Sequence, residues 1–335
     1  MLKLFQSIFG GGEARGEYPE SLIEAAIERA VDGTDPRLRH LPRYQKLLRA
    51  SVIHAMDHVI ALVDDLPAPQ PADRTDYDGD LRLRTLFTSA KRMSELFAND
   101  MAMRKYRAGS SEGGGKVTAL LLAERIEKHV MGMELNGEML RRDVAQTVMD
   151  FRGHRLVDPA VSEDETRRQL KRRAFDHLLS LALQRIAEVE SERAGLGHQR
   201  ALLQRKLAAL QQGGWGFDAM DTAPPQPAAL QAELAETERQ LAAIGAAENT
   251  LHAHLDITAN LLMEAERQLW GEALELRLDR MNVQREAQDA EARLIGLQEL
   301  HNARDRRMVT LLIVLNPDEL PQPDDFLTAA QRLLG

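Results

Sequence analysis

Residues 175–210 read FDHLLSLALQRIAEVESERAGLGHQRALLQRKLAAL, and their apolar side chains recur at alternating spacings of four and three. After a breaker-rich stretch from Gly213 to Pro227 the spacing resumes at Leu230. It continues to Leu315 with one four-residue insertion near Ala265. Such spacing is typical of the apolar seam of a coiled-coil helix. The second half of the chain therefore predicts two long helices that fold back on each other as an antiparallel coiled-coil hairpin.

The composition favours helices that pack in narrow seams. Of the 335 residues, 44% are hydrophobic but only 4% are aromatic, and the formal net charge is −9. The absence of cysteine excludes disulfides and thiolate metal sites, and it fits a reducing compartment. Only eight of the 43 basic residues are lysines, which is typical of GC-rich bacterial coding. We expect a cytoplasmic bacterial protein, with the inner face of the membrane as an alternative location.

The periodicity and the breakers together predict a mainly α fold in five segments. Proline and glycine clusters mark most of the boundaries between them. The expected segments are an amphipathic segment with a glycine tether (1–15), a helical unit (16–108), a linker with a short helix and a possible β-hairpin (109–160), the coiled-coil hairpin (161–316) and a short C-terminal helix (317–335).

One stretch interrupts the helical pattern with a turn signal. The dipeptide Asn136-Gly137 separates two short apolar runs, and this dipeptide favours the tight turn of a β-hairpin. We expect a short helix from Lys116 to His129 before it, and a third strand within Thr147 to Val157 after it. The alternative is a helix interrupted by a turn. The sequence therefore leaves two predictions open for this stretch, a small sheet and an interrupted helix.

His54 and His58 form the candidate metal site. They lie four residues apart on a predicted helix, with Asp57 between them, and this spacing places two imidazoles on one face. Such a pair can hold a divalent ion when another element supplies a third ligand, for which His129, His154 and Asp64 are candidates. Polar helix packing is the alternative. His252, His254 and Asp256, on the long helix, are expected to face solvent.

The N-terminal segment predicts a docking helix. Its apolar side chains recur at helical spacing and are followed by three glycines, so the helix need not join the protein's own core. It carries a single lysine, whereas membrane-surface helices usually carry several basic residues. The residues expected to contact a membrane surface or a partner groove are Leu2, Leu4, Phe5, Ile8 and Phe9.

A basic cluster opens the predicted coiled coil. Basic clusters bind nucleic acid or anionic lipid, but they also pair with acidic residues of a neighbouring helix. Because the chain is acidic overall, we expect ion pairs, with Glu264 and Glu266 as partners, and do not expect nucleic acid to bind. The cluster consists of Arg167, Arg168, Lys171, Arg172 and Arg173.

These features predict a scaffold or adaptor that mediates protein-protein assembly, more than an enzyme. We expect no cofactor, and a protein partner or a second copy that binds through the coiled coil. Peripheral membrane association through the N-terminal helix is an addition to this hypothesis. The alternatives are a metal-dependent hydrolase that uses His54 and His58, and a nucleic-acid-binding coiled-coil protein.

Overall fold

The structure is a computed structural model that describes residues 18–109, 115–136, 139–211, 227–244, 250–289 and 291–323. Helices and strands occur in both halves of the chain. The α-helices are α1 (Glu20–Gly33), α2 (Tyr44–Asp64), α3 (Leu81–Leu86), α4 (Ala90–Asn99), α5 (Met101–Gly109), α6 (Glu163–Gln211), α7 (Pro227–Ile244), α8 (Thr250–Met263) and α9 (Ala265–Gln268). The strands are β1 (Gln70–Pro71), β2 (Val117–Asn136), β3 (Met139–Ala160), β4 (Leu269–Leu278), β5 (Arg293–Asn302) and β6 (Arg307–Leu315).

The chain divides into two compact units, and each of them is built from two stretches of sequence. The first unit comprises Met1–Met56 and Phe175–Ala265, and the second comprises Asp57–Ala174 and Glu266–Gly335. In the described chain the first unit is helical, and the second contains all six strands.

The second unit is organised around one six-stranded sheet. Its strand order is β3-β2-β6-β5-β4, with antiparallel neighbours, and the short β1 adds to β6 in parallel. The central strand β6 pairs with β2 along one side, and with β5 and β1 along the other. Its sequence from Met308 to Leu315 is almost continuously apolar, as expected of a strand buried on both faces.

Both faces of the sheet carry apolar clusters. On one face, alternate residues of β6 meet side chains from the segment that runs from α3 to α5. The largest members of this cluster are Leu83, Phe87, Met93, Phe97, Met103, Leu121, Phe151, Ile295, Leu297, Leu311 and Ile313. On the other face, Leu120, Leu122, Val157 and Leu312 pack with Val63 of α2 and Leu170 of α6.

The predicted mainly α fold with a coiled-coil hairpin is wrong for this chain. Residues 269–278, 293–302 and 307–315, which we placed on the long second helix, are strands of the sheet. Leu276, Leu297 and Leu311 fit a heptad frame, but each also has an apolar neighbour two residues away. The period of two that characterises strands is therefore present in the same stretch, and the sheet pairing stabilises it.

The segment before α6 also differs from the expectation. Residues from Lys116 to His129 were expected as a short helix, but Val117–Asn136 is strand β2. Residues 147–157 belong to β3 and do not form a third strand. Asn136 pairs with Met139 at the described end of the ladder, while the intervening turn lies outside the described residues. Most of the C-terminal segment, from Asp324 onward, also lies outside them.

The first unit buries the apolar faces of its helices. α1 buries Leu22, Ile23, Ala26, Ile27, Ala30 and Val31, the apolar face that its sequence spacing indicates. Gly33 ends this helix against α6, where an added Cβ would lie 2.9 Å from Leu179 Cδ1, so a larger residue would have to displace the Leu179 side chain. Arg29 pairs with Asp176 of α6. Farther along α6, Leu203 and Leu207 pack with Leu230 and Leu234 of α7.

Asp100 joins a helix start to a sheet edge in the second unit. Its Oδ1 accepts hydrogen bonds from the backbone N–H groups of Ala102 (2.8 Å) and Met103 (3.1 Å), which caps α5. Its Oδ2 accepts one from the backbone N–H of Leu156 in β3 (2.9 Å). One carboxylate thereby satisfies groups of both elements and covers part of the outer edge of β3.

We expect Asp100→Ala to lower the free energy of unfolding by about 2–4 kcal/mol, because it removes a helix cap and leaves a strand N–H unsatisfied. Urea unfolding measures the loss. Ser89→Ala is the matched control, since within the described ranges the Ser89 hydroxyl accepts only the cap bond from the Arg92 N–H at 3.1 Å. The control is expected to lose about 1 kcal/mol. Equal losses in the two variants would contradict the role in the strand edge.

Candidate functional site

The hairpin of β2 and β3 is much longer than the strands beside it. β2 pairs with β6 only from Val117 to Ala123, whereas its pairing with β3 continues to Asn136. Beyond Ala123, β2 pairs with no strand other than β3 in the described chain. We call residues 124–136 and 139–152 the arm. A two-stranded ribbon of this length requires support at its base, because isolated hairpins are only marginally stable.

Three one-residue bulges shape the hairpin, and all three lie on β3. The register shifts three times between the strands, and each shift coincides with a residue of positive φ: Asp143 (59°), Gly153 (61°) and Asp158 (50°). A bulge increases the local twist and bends its strand. It also interrupts the row of edge groups that another strand would need for pairing.

A loop from the β4–β5 connection braces the arm. The Gln284 N–H donates to the Thr147 carbonyl, and the Met149 N–H donates to the Asn282 carbonyl, both at 2.8 Å. Val148 thereby forms a bridge with Val283. The brace ends at Thr147, and farther out β3 has no backbone partner except β2 in the described chain.

A buried ion pair fixes the other strand of the arm. Arg125 of β2 donates to Glu299 of β5 through Nε (3.0 Å) and Nη2 (3.2 Å), and only 4% of the Glu299 side chain is exposed. His301 Nε2 lies 3.3 Å from the same carboxylate, and the Trp270 ring stacks on His301 with centroids 5.4 Å apart. Removal of either Arg125 or Glu299 would leave the other charge buried and unpaired, which is strongly destabilising. The ion pair therefore keeps β2 next to the Glu299 side chain of β5.

Beyond the brace, the arm exposes apolar side chains. We call residues 130–136 and 139–146 the distal arm, which is about 20 Å long at the rise of a strand. Val130 is 41% exposed, Met131 72% and Met133 62%. Met131 and Met133 lie two residues apart and therefore on the same face of the ribbon. Exposed apolar side chains on one face are typical of an interaction site. The distal arm is therefore the candidate functional site.

Of the two predicted metal ligands, His58 makes a hydrogen bond to the protein backbone. His54 and His58 both lie on α2, His54 in the first unit and His58 in the second. His58 Nε2 lies 2.7 Å from the Leu269 carbonyl, to which it donates a hydrogen bond. A nitrogen that donates to a carbonyl is not available to bind a metal. Among the residues that the structure describes, no group of three His, Cys, Asp or Glu side chains could hold a metal ion.

The three proposed third ligands each contact other groups. His129 Nδ1 lies 3.2 Å from the Thr147 hydroxyl, and Asp64 pairs with Lys171 at 2.6 Å. His154 Nε2 donates to the Leu86 carbonyl at 2.8 Å, and its ring stacks on Phe87. Burial lowers the pKa of His154 below its ordinary value, which keeps the ring neutral. The metal hypothesis stays a prediction with no third ligand in the described residues.

The predicted basic patch lies at the start of α6, and its members make local ion pairs. Arg167 pairs with Glu163 (2.7 Å) and donates to the Val63 carbonyl (2.6 Å). Further ion pairs join Arg168 with Glu165 (2.7 Å), Lys171 with Asp64 (2.6 Å) and Arg173 with Asp158 (2.6 Å), and Arg172 is half-buried. The partners named here all come from the second unit, and pairing with Glu264 and Glu266 stays a prediction.

The predicted docking residues Leu2, Leu4, Phe5, Ile8 and Phe9 lie outside the described residues. Their role at a membrane or partner surface stays a prediction. Along the ranges that the structure describes, no helix has the length and apolarity that crossing a bilayer requires.

A buried histidine that we expected to face solvent is the main polar feature of the first unit. His252 and Asp256 are exposed, but His254 is only 1% exposed, because α8 turns this residue inward. Its Nδ1 lies 2.8 Å from Asp35 Oδ2. Asp35 also binds the Arg37 guanidinium and the Arg37 backbone N–H, which lowers the pKa of its carboxyl well below the ordinary range.

No protein-family model, curated protein or solved structure matches this chain. The functional argument therefore depends on the residues and their geometry alone.

We expect the Asp35 carboxylate to stabilise the fold above pH ~4, and this stabilisation to be lost as the pH falls below the ordinary pKa of aspartate. The reason is that the folded state stabilises the charged carboxylate more than the unfolded state does. Asp35→Asn removes this carboxylate. Urea unfolding from pH ~6 to ~3 should therefore show the difference between the wild type and Asp35→Asn shrinking as the pH falls.

Asp256→Asn is the matched control, since Asp256 is an exposed carboxylate on the same helix as His254. Its free energy of unfolding at pH ~6 should lie within about 0.5 kcal/mol of the wild-type value, because substitutions at exposed positions usually change stability little. A constant difference between the wild type and Asp35→Asn would contradict the prediction.

Proposed function

We propose that the chain is a scaffold protein whose distal arms join two copies into an assembly. The observation that carries this proposal is the exposure of Met131 (72%) and Met133 (62%) on a ribbon that the described part of its own chain does not cover. A covering surface would remove these side chains from water and would also supply the support that a two-stranded ribbon lacks.

Met131 and Met133 suit a contact in which two surfaces adapt to each other. Methionine is unbranched and polarizable, so it fills irregular gaps and is frequent at adaptable binding surfaces. Met131 lies opposite Ala145, and Met133 lies opposite Arg142, in the register of the ribbon. The small Ala145 leaves Met131 without a large cross-strand neighbour, and a partner side chain has space beside it.

The charge of the distal arm favours a second copy as the occupant. The distal arm contains two acidic residues (Glu134 and Asp143) and two basic ones (Arg141 and Arg142). Nucleic acid and anionic membranes both require a clearly basic surface, which these residues do not provide. In a two-fold interface the same patch meets itself, and a patch of mixed charge with apolar residues is complementary to itself.

The bulge at Asp143 determines how the arms meet. Its positive φ of 59° interrupts the outer edge of β3, which discourages extension of the sheet by another strand. The two arms are therefore expected to pack through the faces that carry Met131 and Met133. The affinity between the two copies would then depend on side-chain packing more than on backbone hydrogen bonds.

We expect the wild-type chain to have at least twice its monomer mass of 37.5 kDa in solution, and Met131→Asp/Met133→Asp to return it to the monomer mass. Two charges in an apolar interface cost about 2 kcal/mol or more of association energy, because each loses its hydration. Size-exclusion chromatography with light scattering measures both masses. Circular dichroism checks that the variant keeps its fold.

The matched control is Met101→Asp, which changes a methionine that is 86% exposed and lies outside the arm. This variant should keep the wild-type mass. A wild-type chain that stays at the monomer mass over a wide concentration range would refute the proposal, as would equal dissociation by Met101→Asp.

A cysteine introduced into the arm tests the contact directly, because the natural chain contains no cysteine. We expect Met131→Cys to form a disulfide between two copies under mild oxidation, since facing arms bring the same residue of both copies close together. Non-reducing gel electrophoresis detects the linked dimer. Met101→Cys is the control, and comparable cross-linking of both variants would indicate random collisions and not an arm interface.

A further inference from the structure

The second unit contains a cleft of about 550 Å³ at the base of the arm. Its volume lies in the range of small-molecule sites. Its lining includes the buried core residues Phe87, Phe151 and Ile295, and also the apolar side chains of Leu81 and Met281, which are 39% and 77% exposed. Most of the other lining residues are polar or charged. The cleft therefore combines an exposed apolar surface with charged groups.

Three arginines from different elements line this cleft. Arg84 lies on α3, Arg280 in the turn after β4, and Arg293 at the start of β5. Within the described chain, none of the three guanidinium groups makes a hydrogen bond or an ion pair with the protein. A guanidinium offers five donors in a planar fork that matches the oxygens of carboxylate and phosphate. All of these donors remain available to a ligand.

The acidic residues of the cleft do not neutralise these arginines. Asp150 is held by Lys128 (2.7 Å) and by Arg152 (2.6 Å). Asp279 binds the Arg285 guanidinium at 2.8 Å and accepts hydrogen bonds from the backbone of its own loop. Asp78 is the remaining carboxylate, so three positive groups face a single negative one whose charge is not already paired.

We propose that this cleft binds a small phosphate ester, with the phosphate at the arginines and the ester group over the side chains of Leu81 and Met281. A phosphate carries close to two negative charges and presents oxygens in several directions, so it can bind guanidiniums from three elements. A single carboxylate has two oxygens in one plane and suits one guanidinium. Leu81 and Met281 give the rest of the ester an apolar surface to cover, which inorganic phosphate leaves exposed.

Isothermal titration calorimetry of the full chain, with inorganic phosphate and phenyl phosphate as probes at constant ionic strength, tests this proposal. We expect saturable binding of phenyl phosphate in the millimolar range or tighter, and weaker binding of inorganic phosphate. Arg280→Gln and Arg293→Gln should each weaken the binding of phenyl phosphate about tenfold, because each removes a charged hydrogen bond. Arg277→Gln should leave it unchanged.

Arg277 is a suitable control because it is exposed, lies on β4 shortly before Arg280 and does not line the cleft. Thermal unfolding without ligand checks that all three variants remain folded. The absence of saturable binding by either probe would overturn the proposal. An equal effect of Arg277→Gln would also overturn it, since it would show a general response to positive charge. Equal affinity for the two probes would overturn the assignment of an ester.

Discussion

The second unit depends on the pairing of β6 with neighbours on both sides. Val309, Leu311, Ile313 and Leu315 of this strand are buried on one face, and Leu312 is buried on the other. A strand in this position must satisfy its backbone groups along both edges, because no water reaches them. β2 provides one edge, and β5 and β1 provide the other. Both apolar clusters of the unit include residues of β6, so loss of this strand would expose both of them.

The length of the arm follows from a mismatch between strands. β6 has nine residues and β2 has twenty, so most of β2 continues past the strand that anchors it. The continuation is held by Arg125 and Glu299 on one side and by the Asn282–Gln284 brace on the other. Where these contacts end, exposed methionines begin. The protein therefore stabilises the base of the arm internally, and under the proposed function a second copy would stabilise its end.

Parts of this fold could be predicted from the sequence. The apolar face of α1 and the turn signal at Asn136-Gly137 agree with local rules, since capping, helical spacing and turn residues act over a few positions. The run from Met308 to Leu315 also carried a strand signal in its β-branched residues. Leucines spaced by seven residues fit a coiled-coil helix, but they also fit a strand with apolar residues at alternate positions. The heptad spacing therefore favoured the helix prediction over the strand. The charged stretch from Glu124 to His129 lacks regular apolar alternation, so the extension of β2 had no local signal.

The candidate site could not be predicted in the same way, because distant contacts create it. The brace joins Thr147 and Met149 to a loop that follows β4, and Asp279 organises this loop by accepting hydrogen bonds from the N–H groups of Met281 (2.7 Å) and Val283 (3.0 Å). The same loop supplies Arg280 and Asn282 to the cleft. One short segment therefore forms a wall of the proposed phosphate site and supports β3 where the arm leaves the sheet. A ligand that contacts Arg280 would act on the loop whose backbone holds the base of the arm, so this loop connects the two proposed sites.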